Sequence, residues 1–358
     1  SRYGQVVVSV VVILGLAFTF FFAISFSWQM LRSSAYWFDW EFWAVNGILA
    51  TAYLTYFALF VLAAAGQLTF ASENRSTPLR WVMFVQHGCI AGWVFYLSLV
   101  SGFSDFPLAL MWLLGIHWYV MGTLLTSESG QLSPRARRRL PQSFLGRVFL
   151  TWFHPGPGTG YMFVVTNLLA GLLFGTGCLV ANELFQFAPA RGRPNLLPAV
   201  CFMVLMVSYV TLFLGVGRLL LRGLRRFYPL PPVGAVAVHA VLLAVGSLVP
   251  LVIQLMSPLL REERYTLLQI SNPFWSLAEA GNQNSLTDPL LVLIVVVPAA
   301  AILVLGLNGR MILADVGQVR AERPARLVAE DAQREAARRP PRTSPWDELE
   351  GPRGEGAP

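Results

Sequence analysis

The chain has 358 residues, of which 55% are hydrophobic and only 13% charged, and it carries a formal net charge of +7. This composition excludes an ordinary soluble globule and a disordered polymer alike, and it marks an integral membrane protein. The tail from Asn308 to Pro358 holds nine Arg and nine Asp or Glu, so the positive excess lies on the membrane part, where anionic inner-leaflet lipid accounts for it better than nucleic acid does.

All 26 basic residues are Arg, a bias that points to a GC-rich bacterial genome. Cys89, Cys178 and Cys201 fall inside apolar runs, where a thiol behaves as a small hydrophobe; a disulfide framework or a metal site is not expected. The chain starts at Ser1 without Met, and its first apolar run, Val6 to Trp28, is too long for the h-region of a signal peptide. The expectation is that further residues precede Ser1.

A membrane-crossing helix needs about 20 predominantly apolar residues. Eight stretches qualify in chain order: 6–27, 44–66, 81–100, 106–125, 161–180, 197–218, 233–256 and 289–307. The predicted fold is therefore an all-α polytopic helix bundle. It divides into a first group of four spans (1–125), a basic loop (126–160), a second group of four spans (161–307) and a charged, partly disordered tail (308–358).

Between the first and second spans, SSAYWFDWEFW (Ser33 to Trp43) has the rings of an interfacial belt. The loop between the two groups carries Arg135, Arg137, Arg138, Arg139 and Arg147. Sorting the loops onto two sides puts 21 arginines on the side of that loop and five on the other, or 12 against five without the tail. The positive-inside rule then makes the central loop and the C-terminus cytoplasmic, in a multi-pass protein of the inner membrane. Gly171 and Gly175 stand four apart in the fifth span, a spacing that allows another helix to approach closely, although glycine is also common in such helices.

No carboxylate lies within the core of a predicted span, which counts against a proton- or sodium-coupled carrier. The polar groups at depth are mostly histidines. His87, His117 and His239 lie at similar distances from the cytoplasmic ends of their spans, so they are alternative haem ligands, set against the plainer reading that each bonds a neighbouring helix. HPGPGTGY (His154 to Tyr161) lacks the Lys-Ser/Thr of a nucleotide loop and reads as a sharp turn where the chain enters the membrane. His154 has no acid, base or nucleophile partner that sequence can place beside it.

The turn AGQLTFASENRSTPLRW, Ala65 to Trp81, resembles a cytoplasmic turn of type-2 ABC exporter permeases, with Glu73, Ser76, Thr77 and Pro78 in comparable places and the usual glycine missing. LLQISNPFWSLAEA, Leu267 to Ala280, resembles the external loop before the last span of that family through Asn272, Pro273, Phe274 and Trp275. The resemblance implies a permease subunit that forms a translocation pathway and binds a separate ABC-type ATPase subunit. Glu73, Asn74, Arg75, Thr77, Pro78 and Arg80 would form the docking turn, with Ser76 and Thr77 capping the next helix. It implies no catalytic residue, metal or cofactor in this chain, with ATP-Mg held by the partner. A second permease subunit or a homodimer stays open. The eight spans depart from the family's six, which leaves a b-type haem protein or other membrane enzyme, and a non-transporting assembly subunit, as alternatives.

Overall fold

The computed structural model describes residues 40–68, 74–101, 105–128, 141, 143–185, 195–228, 230–258, 260, 265–282, 288–321 and 325–338. These residues form α1 (Trp40–Leu68), α2 (Ser76–Ser101), α3 (Phe106–Thr126), the short α4 (Phe144–Phe149), a 3-10 turn (Thr151–Phe153), α5 (Pro157–Phe185), α6 (Leu196–Leu224), α7 (Pro232–Met256), a second 3-10 turn (Leu267–Ser271), α8 (Pro273–Asn282), α9 (Asp288–Arg320) and α10 (Ala325–Arg338). No strand occurs among them. Among the described residues, α1, α2, α3, α5, α6, α7 and α9 are long and apolar enough to cross a membrane. The protein is thus a multi-pass, all-α membrane helix bundle. The predicted span 6–27, the arginine cluster 135–139, Glu73 and residues 339–358 lie outside the described residues.

α6 is the axis of the bundle. It is buried along most of its length, and α3, α5, α7, α8 and α9 all pack on it. A helix apolar all round suits that position: Phe202, Met203, Leu205 and Leu214 of α6 meet Leu110, Met111, Leu114 and Trp118 of α3 and Phe163, Val164 and Leu168 of α5 in one core. α1 stands at the other extreme, packing on α2 and burying little of its own surface.

Three sequence expectations change. The last apolar helix does not stop at 307 but runs on to Arg320, so 308–320 belongs to the bundle rather than to the tail. Its polar residues are matched there: Asn308 donates to the Gly215 carbonyl at 3.2 Å and to Val304 O at 2.9 Å. The loop 126–160 is likewise structured at its end by α4 and the first 3-10 turn. Finally, Ser76 and Thr77 do not cap α2. Asn74 does, with Oδ1 accepting from Thr77 N at 3.2 Å, and this frees both hydroxyls to reach other loops.

Gly171 and Gly175 are places of close approach. A Cβ at Gly171 would lie 2.7 Å from Leu114 Cδ1, and one at Gly175 2.8 Å from Met203 Sδ, so α5 meets α3 and α6 where it has no side chain. Gly177, on the same helix, faces open space. Gly171→Leu should therefore lower stability by about 2 kcal/mol through overpacking. Gly177→Leu should leave it nearly unchanged, and thermal unfolding of both variants in detergent checks the contrast.

Candidate functional site: a buried polar junction at the arginine-rich end

The ends of α2, α3, α5, α6 and α9 that adjoin the arginine-rich loops, with the short α4 beside them, hold the buried arginines Arg80, Arg147 and Arg218. Their centre is Arg80, one turn into α2 and wholly buried. Its Nη1 donates to Trp152 O at 2.6 Å, to His154 O and to Thr159 Oγ1 at 3.2 Å. Its Nη2 donates to Gly156 O at 3.1 Å and pairs with Glu128 Oε2 at 2.7 Å. The guanidinium also lies 5.9 Å from the centre of the Phe163 ring. A planar fork with several donors suits a site made of carbonyls and a carboxylate, as a compact ammonium would not.

Glu128, just past the end of α3, serves three neighbours. Besides Arg80, it accepts from Gly156 N at 2.8 Å and from the Ser76 hydroxyl. Thr77 Oγ1 donates to Phe153 O at 2.7 Å. Arg225, beyond α6, donates to Ser127 O at 2.7 Å and to Glu128 O at 3.4 Å, closing the end of α3.

The segment His154 to Gly160 wraps round Arg80, and its glycines are required by space. Gly156 has φ +141, a backbone conformation that side chains disfavour. A Cβ at Gly158 would lie 2.5 Å from Asp315 Oδ2 and 3.0 Å from the Ile312 backbone; one at Gly160 would lie 3.0 Å from Leu125 O. Pro157 occupies the first turn of α5, where a missing N–H costs nothing.

The free N–H groups at the start of that helix form an anion-attracting end, and the chain fills it from within. Glu128 takes Gly156 N, and Asp315 of α9 takes Gly158 N at 2.6 Å. Asp315 also faces Arg218 of α6 at 3.6 Å, and Arg218 donates to Asn308 Oδ1 at 3.4 Å. The stretch that superficially resembles a phosphate cradle is the expected sharp turn, with two internal carboxylates at its N–H groups.

The structure separates the residues singled out from sequence. Asn74, Arg75 and Thr77 are half-buried and Pro78 is exposed, so these stand at or near the surface of the turn. Arg80, expected on the same exposed rim, is instead the buried hub, because its side chain reaches carbonyls and a carboxylate that sequence could not place nearby. Asp315 was assigned to the tail and instead sits inside the junction. Glu128 and Arg218 were not singled out as site residues, and Gly156 and Gly158 were read only as part of the sharp turn HPGPGTGY; nothing in that run of small residues showed what the turn encloses.

Of the alternative haem ligands, His87 Nδ1 accepts from Trp118 Nε1 at 2.8 Å, and His239 Nε2 is 3.0 Å from Thr126 Oγ1. These two make the inter-helix bonds of a structural role. Among the described residues, no group of three or more His, Cys, Asp or Glu is placed to hold a metal ion. At the opposite end, Asn272 Oδ1 accepts from Trp275 N at 3.2 Å and its Nδ2 donates to Ser247 O at 3.2 Å. Asn272 thus caps α8, with Pro273 first in that helix and Phe274 exposed. Comparison of the chain with family models, with curated proteins and with solved structures gives no match.

Two tests address the junction. Glu128→Ala removes the one anionic partner Arg80 contacts and should cost about 3 kcal/mol, whereas Arg225→Ala should cost about 1 kcal/mol; detergent thermal melts measure both. His154 is buried with neither ring nitrogen bonded, and burial, reinforced by nearby Arg80, lowers its pKa to about 4. The unfolded chain, with an imidazole pKa of about 6.5, then binds more protons between those values, so stability is complete above about 6.5 and falls toward pH 4. His154→Leu should melt with a smaller loss than the native chain between pH 6.5 and 4.5.

Proposed function

We propose that this chain is the membrane-embedded permease subunit of an ATP-driven exporter, working with a separate ABC-type ATPase at its cytoplasmic face. The observation that carries the reading is the linkage of the turn before α2 to the rest of the bundle. Thr77 and Arg80 bind the segment 152–156 that leads into α5, Ser76 and Arg80 bind Glu128 at the end of α3, and Asp315 ties α5 to α9. A displacement imposed on one short turn reaches several spans without slack.

That mechanical arrangement fits a protein whose energy comes from outside its own chain. Among the described residues of the spans, the half-buried carboxylate Asp315 is near the arginine-rich end of α9 and is held by Gly158 and Arg218. It is placed to join helices rather than to relay a proton through the bilayer centre. In this reading Arg75 and Pro78 meet the partner, and Arg80 transmits the movement. The 12-to-five arginine asymmetry of the loops supports placing this end in the cytoplasm.

The double variant Glu73→Ala, Arg75→Ala tests the reading, since it leaves Arg80 and the remaining loop arginines in place. It should insert and accumulate normally, but fail to co-purify with the ATPase and fail to support transport. Normal co-purification together with normal transport would refute docking at this turn.

A further inference from the structure

Between α1, α2 and α3 lies a cleft of about 380 Å³, at the small end of the range for ligand sites. Its walls are mostly apolar or aromatic, including Tyr56 and Trp93, and neither a carboxylate nor an arginine is among the described residues that line it. It opens beside Leu113, Ile116 and Val120 of α3, each about half exposed, on an apolar side of the described bundle.

Two buried polar side chains line this cleft without partners. Gln86 of α2 is 2% exposed, and both its amide nitrogen and its amide oxygen lack a hydrogen bond. His117 of α3 is 4% exposed with neither ring nitrogen bonded; the Met83 carbonyl is close, but outside hydrogen-bond geometry. The two threonine hydroxyls of the wall are served within it: Thr51 donates to Gly47 O and accepts from Trp93 Nε1, and Thr55 donates to Ala52 O.

Depth narrows the ligand further. Gln86 is ten residues into α2 and His117 nine residues from the end of α3, about 15 Å and 14 Å from the arginine-rich end at 1.5 Å per residue. This is near the middle of an apolar layer about 30 Å thick. Leaving one buried donor or acceptor unmade is costly, and here an amide and an imidazole face the same space. Together they offer both donors and acceptors.

We propose that the cleft is a binding site for an uncharged, hydroxyl-bearing lipid, whose head bonds Gln86 and His117 while its chains leave between α1 and α3 into the bilayer. With no charged group among the described lining residues, the site selects against phosphate-headed lipids, because an unpaired charge at this depth is expensive. The site is independent of the exporter reading, since binding needs no ATPase.

The test uses the full chain in phosphatidylglycerol nanodiscs, with a diazirine-bearing diacylglycerol as the probe and mass-spectrometric mapping of adducts. Adducts should concentrate on α1 to α3 at Tyr56, Cys89 and Trp93. Unlabelled diacylglycerol should compete, and phosphatidic acid with the same chains should not. Gln86→Leu with His117→Leu should cut labelling about tenfold while the melting temperature holds or rises. Ala52→Phe, which fills the cleft and leaves both polar groups in place, should cut labelling equally and serves if the double variant fails to fold. Adducts spread evenly over lipid-facing helices, equal competition by phosphatidic acid, or labelling that survives Ala52→Phe would overturn the proposal. So would a cross-link from Cys89 to residues 6–27, which would show the cleft filled by the chain itself.

Discussion

The guanidinium of Arg80 is the charge on which this end of the bundle depends. A charge taken out of water costs several kcal/mol unless it is paired and its donors are used. Here the compensation comes from backbone carbonyls of one loop and from one carboxylate of another. The segment from Trp152 to Gly156 has no long regular element of its own, and wrapping the cation gives its carbonyls donors. The loop and the arginine therefore order each other. Glu128 extends the effect by binding α2 and the start of α5 with the same carboxylate.

The second layer of organisation is steric. α6 is surrounded because its apolar surface leaves no preferred outward face, and α5 can approach α3 and α6 closely because it presents glycines where they meet. The polar junction and the apolar core share this middle: Arg218 leaves α6 toward Asp315, and Tyr161 at the start of α5 donates to Thr211 O of α6 at 2.9 Å. Packing sets how near the helices come, and the polar groups at the end restrict their sliding relative to one another.

Sequence made the helices legible because lipid demands long apolar runs, and seven of the eight runs are helices in the described residues. The junction was much less legible. Arg80 looks like a topology-setting charge at a helix start, since its partners lie between 48 and 79 positions later. The same holds for Asp315, whose helix seemed finished once polar residues such as Asn308 and Arg310 appeared. Inside the bundle Asn308 is neutralised by carbonyls a hydropathy pattern cannot see. The turn at Gly156 was readable because proline and glycine report local geometry. What that turn encloses was not, because enclosure is a long-range property.

The order of the chain also bears on how the protein is made. Arg80 emerges from the ribosome well before Glu128, Trp152, Gly156 and Thr159, the last of them 79 residues behind it. At a synthesis rate of 5–20 residues per second, that lag is about 4 to 16 s. Throughout it α2 carries a solvated cation near its end and lacks the groups that later enclose it. The nascent helix must keep that end in the headgroup layer, where a long side chain can reach water. Once the His154 to Gly160 segment arrives, Arg80 can leave the water, so closure of the junction is a late event in assembly, after α2 and α3 are already in the membrane.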